Sequence, residues 1–336
     1  MSFIRTFFGD IAPDELGVTL AHEHLVCRPP HWIWKDEPDL LLDDPDKTLL
    51  DVLDYQAAGG KAIVDATAID YGRDVEAVAQ ISRRTGVTMI GTAGFNKSFL
   101  WDAPLPPRLT DLIGGYQNFR QWIDTSTVEK LTDFVAAEIE DGLEGTQYRA
   151  GQVKFGTGYN TVSPLEIKTI EVAAAVHHRT GAPVHAHTEA GTMALKQIEI
   201  LKSCQVDPAH CSFGHMDRNL DLWYHRKIAE TGAYLSFDGI GKIKYHPEDK
   251  LIEHILTLIQ DGFGKQLLIS GDTARKSYYR HYGHGLGLDY ALTGWTPIFR
   301  DLAQAAGCDA EVLLKDLFCH NVARCMTFHG KEDADE

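Results

Sequence analysis

His22 and His24 stand two residues apart in Val18–Thr19–Leu20–Ala21–His22–Glu23–His24–Leu25, a short apolar run that reads as a β-strand. Residues i and i+2 of a strand share a face, so both imidazoles point one way and Glu23 the other. Two neutral imidazoles converging from one strand can hold a divalent metal, although two hydrogen-bonded core histidines would give the same pair. Further ligands downstream decide between them. Gln152–Val153–Lys154–Phe155–Gly156 sets a lysine in an apolar strand, where an amine without a partner is costly; an ion pair with a neighbouring acid would answer that cost. Val184–His185–Ala186–His187–Thr188–Glu189, Phe213–Gly214–His215–Met216–Asp217 and Ile269–Ser270–Gly271–Asp272–Thr273 follow. A mouth lined by His22, His24, Lys154, His187, His215 and Asp272 is hard to explain as core packing and points to a metal centre. His185 shares a face with His187 but lies deeper, and reads as a core hydrogen-bonding residue.

The elements that must position these groups alternate almost without interruption. Strands are expected at 18–24, 62–67, 87–94, 151–156, 183–188, 211–216, 233–237 and 266–271. Helical patterns fall at 47–58, 74–84, 128–142, 164–180, 192–204, 220–231 and 247–262, with a helical tail over 288–328. Such alternation implies a parallel sheet, and eight strand–helix units imply a closed (β/α)8 TIM barrel of the α/β class with its site at the strand C-terminal ends. A doubly wound open sheet should show a Gly-rich phosphate turn after its first strand; His22–Glu23–His24 stands there instead. We expect one barrel domain over 1–330 and a disordered tail over 331–336. The connections 25–46, 96–127 and 273–287, after strands one, three and eight, are too long to be plain turns and read as active-site loops. Trp32, Trp34, Phe99, Trp101, Tyr116 and Trp122 suggest packed lids.

With 48 acidic against 32 basic residues the chain carries a formal net charge of −16, which argues against nucleic acid or an anionic membrane as partner. An anionic ligand would need a local basic patch. No signal-peptide-like apolar region opens the chain and no run of about 18 apolar residues occurs, so a cytoplasmic protein is expected. The six cysteines lack CxxC spacing and read as reduced, buried thiols.

The ordered set His22–Glu23–His24, Val153–Lys154, His187–Thr188, Gly214–His215 and Gly271–Asp272 resembles the phosphotriesterase family of the amidohydrolase superfamily over essentially the whole chain. The resemblance implies that Lys154 is N6-carboxylated and bridges two divalent ions, zinc first, with manganese or cobalt also suited. It would place His22, His24 and Asp272 on the more buried ion and His187 and His215 on the other. It further implies hydrolysis by a hydroxide held between the metals, with Asp272 as the catalytic residue that takes the proton and passes it toward the leaving group. A homodimer is expected on the same ground.

Substrate choice must come from the loops. Lys244 follows strand seven, and Arg275 and Tyr278 follow strand eight, a recurrent phosphate position in such barrels. A guanidinium fork, an ammonium and a phenol suit a phosphate monoester, though solvated surface charge would look the same. We therefore expect a lactonase for small phosphorylated sugar lactones, which also resembles a subgroup of the phosphotriesterase-like lactonases. Acyl-homoserine lactonases of that type usually have an arginine just after the strand-seven aspartate, where this chain has Gly239. A neutral lactonase, carboxylesterase or organophosphate triesterase is the enzyme alternative, and a non-catalytic metal-binding scaffold the alternative of another class.

Overall fold

The computed structural model describes residues 2–329; the tail expected at 331–336 lies outside them. A small antiparallel hairpin, β1 (Ile4–Thr6) with β2 (Gly9–Ile11), comes first. Eight parallel strands follow in sequential order: β3 (Thr19–Glu23), β4 (Ala62–Asp65), β5 (Thr88–Gly94), β6 (Ala150–Thr157), β7 (Val184–Thr188), β8 (Cys211–Phe213), β9 (Tyr234–Phe237) and β10 (Leu267–Ile269). Helices intervene between them, giving one (β/α)8 barrel. Every residue of these strands except Thr88 is buried, as strands covered on both faces must be.

The first and last strands meet through side chains as well as backbone. Asp272 N–H donates to His22 O at 3.0 Å, and Ser270 Oγ lies 2.9 Å from both His22 N and His22 O. The buried Glu23 carboxylate accepts from Ser270 Oγ (2.7 Å), Gly271 N (2.6 Å) and Thr273 N (2.7 Å). Glu23, which alternation turns away from the two histidines, therefore clamps the end of strand eight beside them.

Local signals explain the outer helices. Pro164–Thr180 opens on a capping box between Ser163 and Glu166, has Pro at its first turn and stops at left-handed Gly181. Asp74 caps Val75–Thr85, whose stop is left-handed Gly86. The long loops are built as lids. Trp101 is buried and donates Nε1–H to Asp70 at 2.7 Å, and Trp122 packs edge-on to Phe95 and Phe134. Tyr279 Oη donates to His24 O at 2.5 Å, pinning the last loop to the end of β3.

Two expectations change in detail. The hairpin is absent from the sequence reading because its three-residue strands show no periodicity. Of the thiols, Cys27, Cys211 and Cys325 are buried, whereas Cys204, Cys308 and Cys319 are only partly so, and none is disulfide-bonded. Among the described residues no helix is long and apolar enough to cross a membrane.

Candidate metal centre

Strand ends deliver the chemistry. His24 follows β3 directly; its Nδ1 lies 2.7 Å from Thr67 Oγ1, which itself donates to Asp65 Oδ1 at 2.5 Å. With its proton committed to Asp65, Thr67 can only accept from His24 Nδ1–H. His24 Nε2 is thus the lone-pair nitrogen, and it faces Asp272 Oδ1 at 3.5 Å. His22, fully buried, has neither ring nitrogen in a hydrogen bond; Nε2 lies 3.8 Å from Asp272 Oδ1 and Nδ1 3.2 Å from Asp238 Oδ2. One donor atom each from His22, His24 and Asp272 fits within 4.8 Å, the spacing a shared cation requires.

The second cluster is built the same way. His215 gives Nδ1 to Asp238 Oδ1 (2.8 Å), His187 gives Nε2 to Glu189 Oε2 (3.0 Å), and the inner nitrogens, His187 Nδ1 and His215 Nε2, stand 2.9 Å apart. When both outer nitrogens donate to carboxylates, both inner nitrogens present lone pairs. Two lone pairs at that distance repel unless a cation lies between them. An imidazole backed by a carboxylate is the usual metal-ligand arrangement. His22, His215 and Asp238 form another triple of suitable spacing, but Asp238 already accepts from both His215 Nδ1 and His215 N (2.9 Å) and serves better as support.

Lys154 lies at the centre of the mouth, buried, with Nζ donating to Ala66 O at 2.8 Å. It pairs with Gly94 of β5, where a Cβ would stand 2.3 Å from the Lys154 carbonyl oxygen. Close backbone approach at that point requires glycine. Burial brings the Lys154 amine down to about 8. Burial, with the neighbouring Lys154 charge, holds His24 well below its ordinary value; burial and Lys97 do so for His187. Burial and Arg218 bring His215 to about 4. These three imidazoles, His24, His187 and His215, are therefore neutral, as a metal ligand must be. Asp272 is the reverse case: burial opposes its ionisation, but the Lys242 and Arg218 cations outweigh it and hold the carboxyl well below the usual range. His215 (φ +63°) and Asp272 (φ +40°) both adopt the left-handed backbone region, which costs roughly 1–3 kcal/mol each and clusters at functional sites.

Residues 2–317 match the phosphotriesterase family. The chain belongs to that family. A lactonase from Listeria monocytogenes, known as a crystal structure, is 58% identical and superposes with a TM-score of 0.96, over 98% of this chain and 100% of that one. A phospho-furanose lactonase from Mycoplasmopsis synoviae is 30% identical over 99% of this chain and 94% of its own. The phosphotriesterase homology protein of Escherichia coli, crystallised with phosphate in its active site, is 28% identical with a TM-score of 0.82, covering 93% of this chain and 99% of that one. The protein is a metal-dependent hydrolase of a family of two-metal enzymes, and the His and Asp clusters described above suit such ions.

Around the centre of this phosphotriesterase-family hydrolase, a cavity of about 830 Å³ including its open mouth is lined by His24, Lys154, His187, His215 and Asp272. Arg275 and Tyr278 line it too. The Arg275 guanidinium is paired with Glu37 (2.8 Å) and lies 3.6 Å from Asp39, both in the loop after strand one. Lys244 stands outside the lining and donates to Tyr278 Oη at 2.7 Å. Sequence reasoning missed the cations that touch Asp272: Lys242 Nζ reaches its carbonyl (2.8 Å) and its Oδ2 (3.0 Å), and Arg218 Nη2 its Oδ2 (2.6 Å). Asp238 was also missed, although an acid directly after strand seven repeats the placing of Asp272 after strand eight. At Gly239, which follows Asp238, a Cβ would lie 2.0 Å from Asp217 Oδ2, so any side chain there would have to displace that carboxylate.

Proposed function

We propose that this hydrolase opens the ring of small phosphorylated sugar lactones. The observation that carries the reading is the cavity lining: Lys97, Arg218, Lys242 and Arg275 converge on one pocket above the histidine clusters in a chain of net charge −16. Each is ion-paired here, Lys97 with Glu189, Arg218 and Lys242 with Asp272 and Arg275 with Glu37. Asp272 is nevertheless the one carboxylate among the described lining residues, and so cation-rich a lining in an acidic protein favours an anionic ligand. Lactonases among the relatives support the same reaction type.

Two divalent ions, zinc, manganese or cobalt, held by His22, His24 and Asp272 and by His187 and His215 with Lys154 between them, would acidify a water and polarise the lactone carbonyl. The Lys154 ammonium, brought down to about 8 by burial, gives up one proton readily, and the free amine can then add to carbon dioxide: the N–C bond forms, a second proton leaves, and a buried cation becomes an anion that could bridge two ions. Asp272 takes the proton from the attacking water and returns it to the ring oxygen as the C–O bond breaks. Lys242 and Arg218 fix its carboxylate in the orientation this requires. Arg275, Tyr278 and Lys244 hold the phosphate away from the reacting carbonyl, Arg275 exchanging its exposed partner Glu37 for the ligand.

A charge-assisted hydrogen bond is worth about 1.5–3 kcal/mol, so Arg275→Ala should raise KM for a phosphorylated lactone roughly 10- to 100-fold. Its kcat should change little, as should both constants for the dephosphorylated analogue. Steady-state kinetics on the two substrates checks this; equal effects on both would remove the phosphate site.

A further inference from the structure

We propose that Glu189 is a positioning residue for His187, and that Lys97 anchors it to the loop after the third barrel strand; the proposal rests on the two-metal reading above. The Glu189 carboxylate is shared. Its Oε2 lies 3.0 Å from His187 Nε2 and also accepts from Lys97 Nζ. While Nε2–H is donated to that carboxylate, His187 Nδ1 is the lone-pair nitrogen, and it is Nδ1 that faces His215 Nε2. A neutral or absent partner at 189 would leave the ring free to hold its proton on the inner nitrogen, where it cannot bind a metal.

The surroundings fix Glu189 for this task. It opens a turn directly after β7, and the turn is closed by Thr192, whose N–H (3.1 Å) and Oγ1 (2.7 Å) both donate to Glu189 O. Ala190 takes a left-handed φ of +52° inside that turn, bending the chain so that residue 189 faces back toward residue 187. Gln197 Nε2 donates to His187 O at 3.0 Å and fixes the backbone of the ligand itself. His24 and His215 have their own supports in Thr67–Asp65 and Asp238. Those are buried within the barrel, whereas Glu189 is part-exposed and its second partner lies on a lid. Lys97 lines both the deep cavity and the outer groove formed with Trp32, Phe99 and Tyr159. Lid position and ligand orientation are thereby joined through one carboxylate.

The test is stepwise Zn²⁺ binding to the full-length, metal-stripped protein in bicarbonate buffer, read by chelator competition and metal analysis. Wild type should take two ions, and Glu189→Ala should bind the second roughly 10- to 100-fold more weakly with the first unchanged. Glu189→Gln, which keeps an acceptor but loses the charge, should fall between them, as should Lys97→Met. Unchanged affinities for both ions in these variants would overturn the proposal. Equal weakening of both would show a merely structural role and overturn it as well. Should Glu189→Ala fail to fold, Glu189→Gln and Lys97→Met decide by the same criterion. Fewer than two ions on wild type would instead bring down the two-metal reading itself.

Discussion

Asp272→Asn should lower kcat by roughly 10²- to 10⁴-fold, the range general-base catalysis contributes, while the barrel stays folded. The carboxylate is the group best placed to take a proton: it stands 3.5 Å from His24 Nε2 and is held by Lys242 and Arg218 on its other oxygen. Asparagine keeps the shape and one acceptor but has no basic oxygen. It also leaves Lys242 and Arg218, both largely buried, without their shared anion. Losing one partner of a buried ion group costs about 3–5 kcal/mol, so the metal-free variant should also melt several degrees lower. Kinetics on metal-loaded protein, with circular dichroism and melting curves alongside, separate the two effects. Near-wild-type kcat would sink the assigned role.

Lys154→Met should abolish turnover and metal uptake yet raise the stability of the metal-free protein. The Lys154 amine is fully buried with a single carbonyl partner, and burial lowers it from 10.5 to about 8. At about 1.4 kcal/mol per tenfold change, that difference is a cost of roughly 3 kcal/mol to the folded state at neutral pH. The sign follows from linkage: the unfolded chain binds the extra proton between about 8 and 10.5, so the cost is fully present below pH 8 and fades as pH rises through that window. Methionine fills a similar volume without charge. Thermal melts of chelator-treated protein at pH 7 should therefore show the variant melting above wild type, and metal analysis should show it binding far less. A less stable variant at pH 7 would mean that the amine is not carried at a cost.

Much of this was legible in the chain because a barrel converts sequence order into space. Each parallel strand ends at the same face, so His22, His24, Lys154, His187, His215 and Asp272 could be gathered into one mouth from strand ends alone. Pairings between side chains of different strands and loops are another matter. Arg218 and Lys242 reach Asp272 across 54 and 30 residues, and no periodicity marks such contacts. Glu189 was visible beside His187 but had no distinguishing signal, since an acid after a strand is more often solvated. Arg275 shows the opposite limit: its type suggested an anion site, while its present partner is Glu37, a loop contact that composition could not reveal.

The most direct measurement is a comparison of kcat/KM for phosphorylated aldono-lactones, their dephosphorylated forms and acyl-homoserine lactones, using the metal-loaded protein. The account predicts hydrolysis that chelation abolishes, with the phosphorylated lactones preferred at least tenfold. Equal or better turnover of the neutral lactones would contradict the proposed substrate, and hydrolysis of none of them would contradict the lactonase reading.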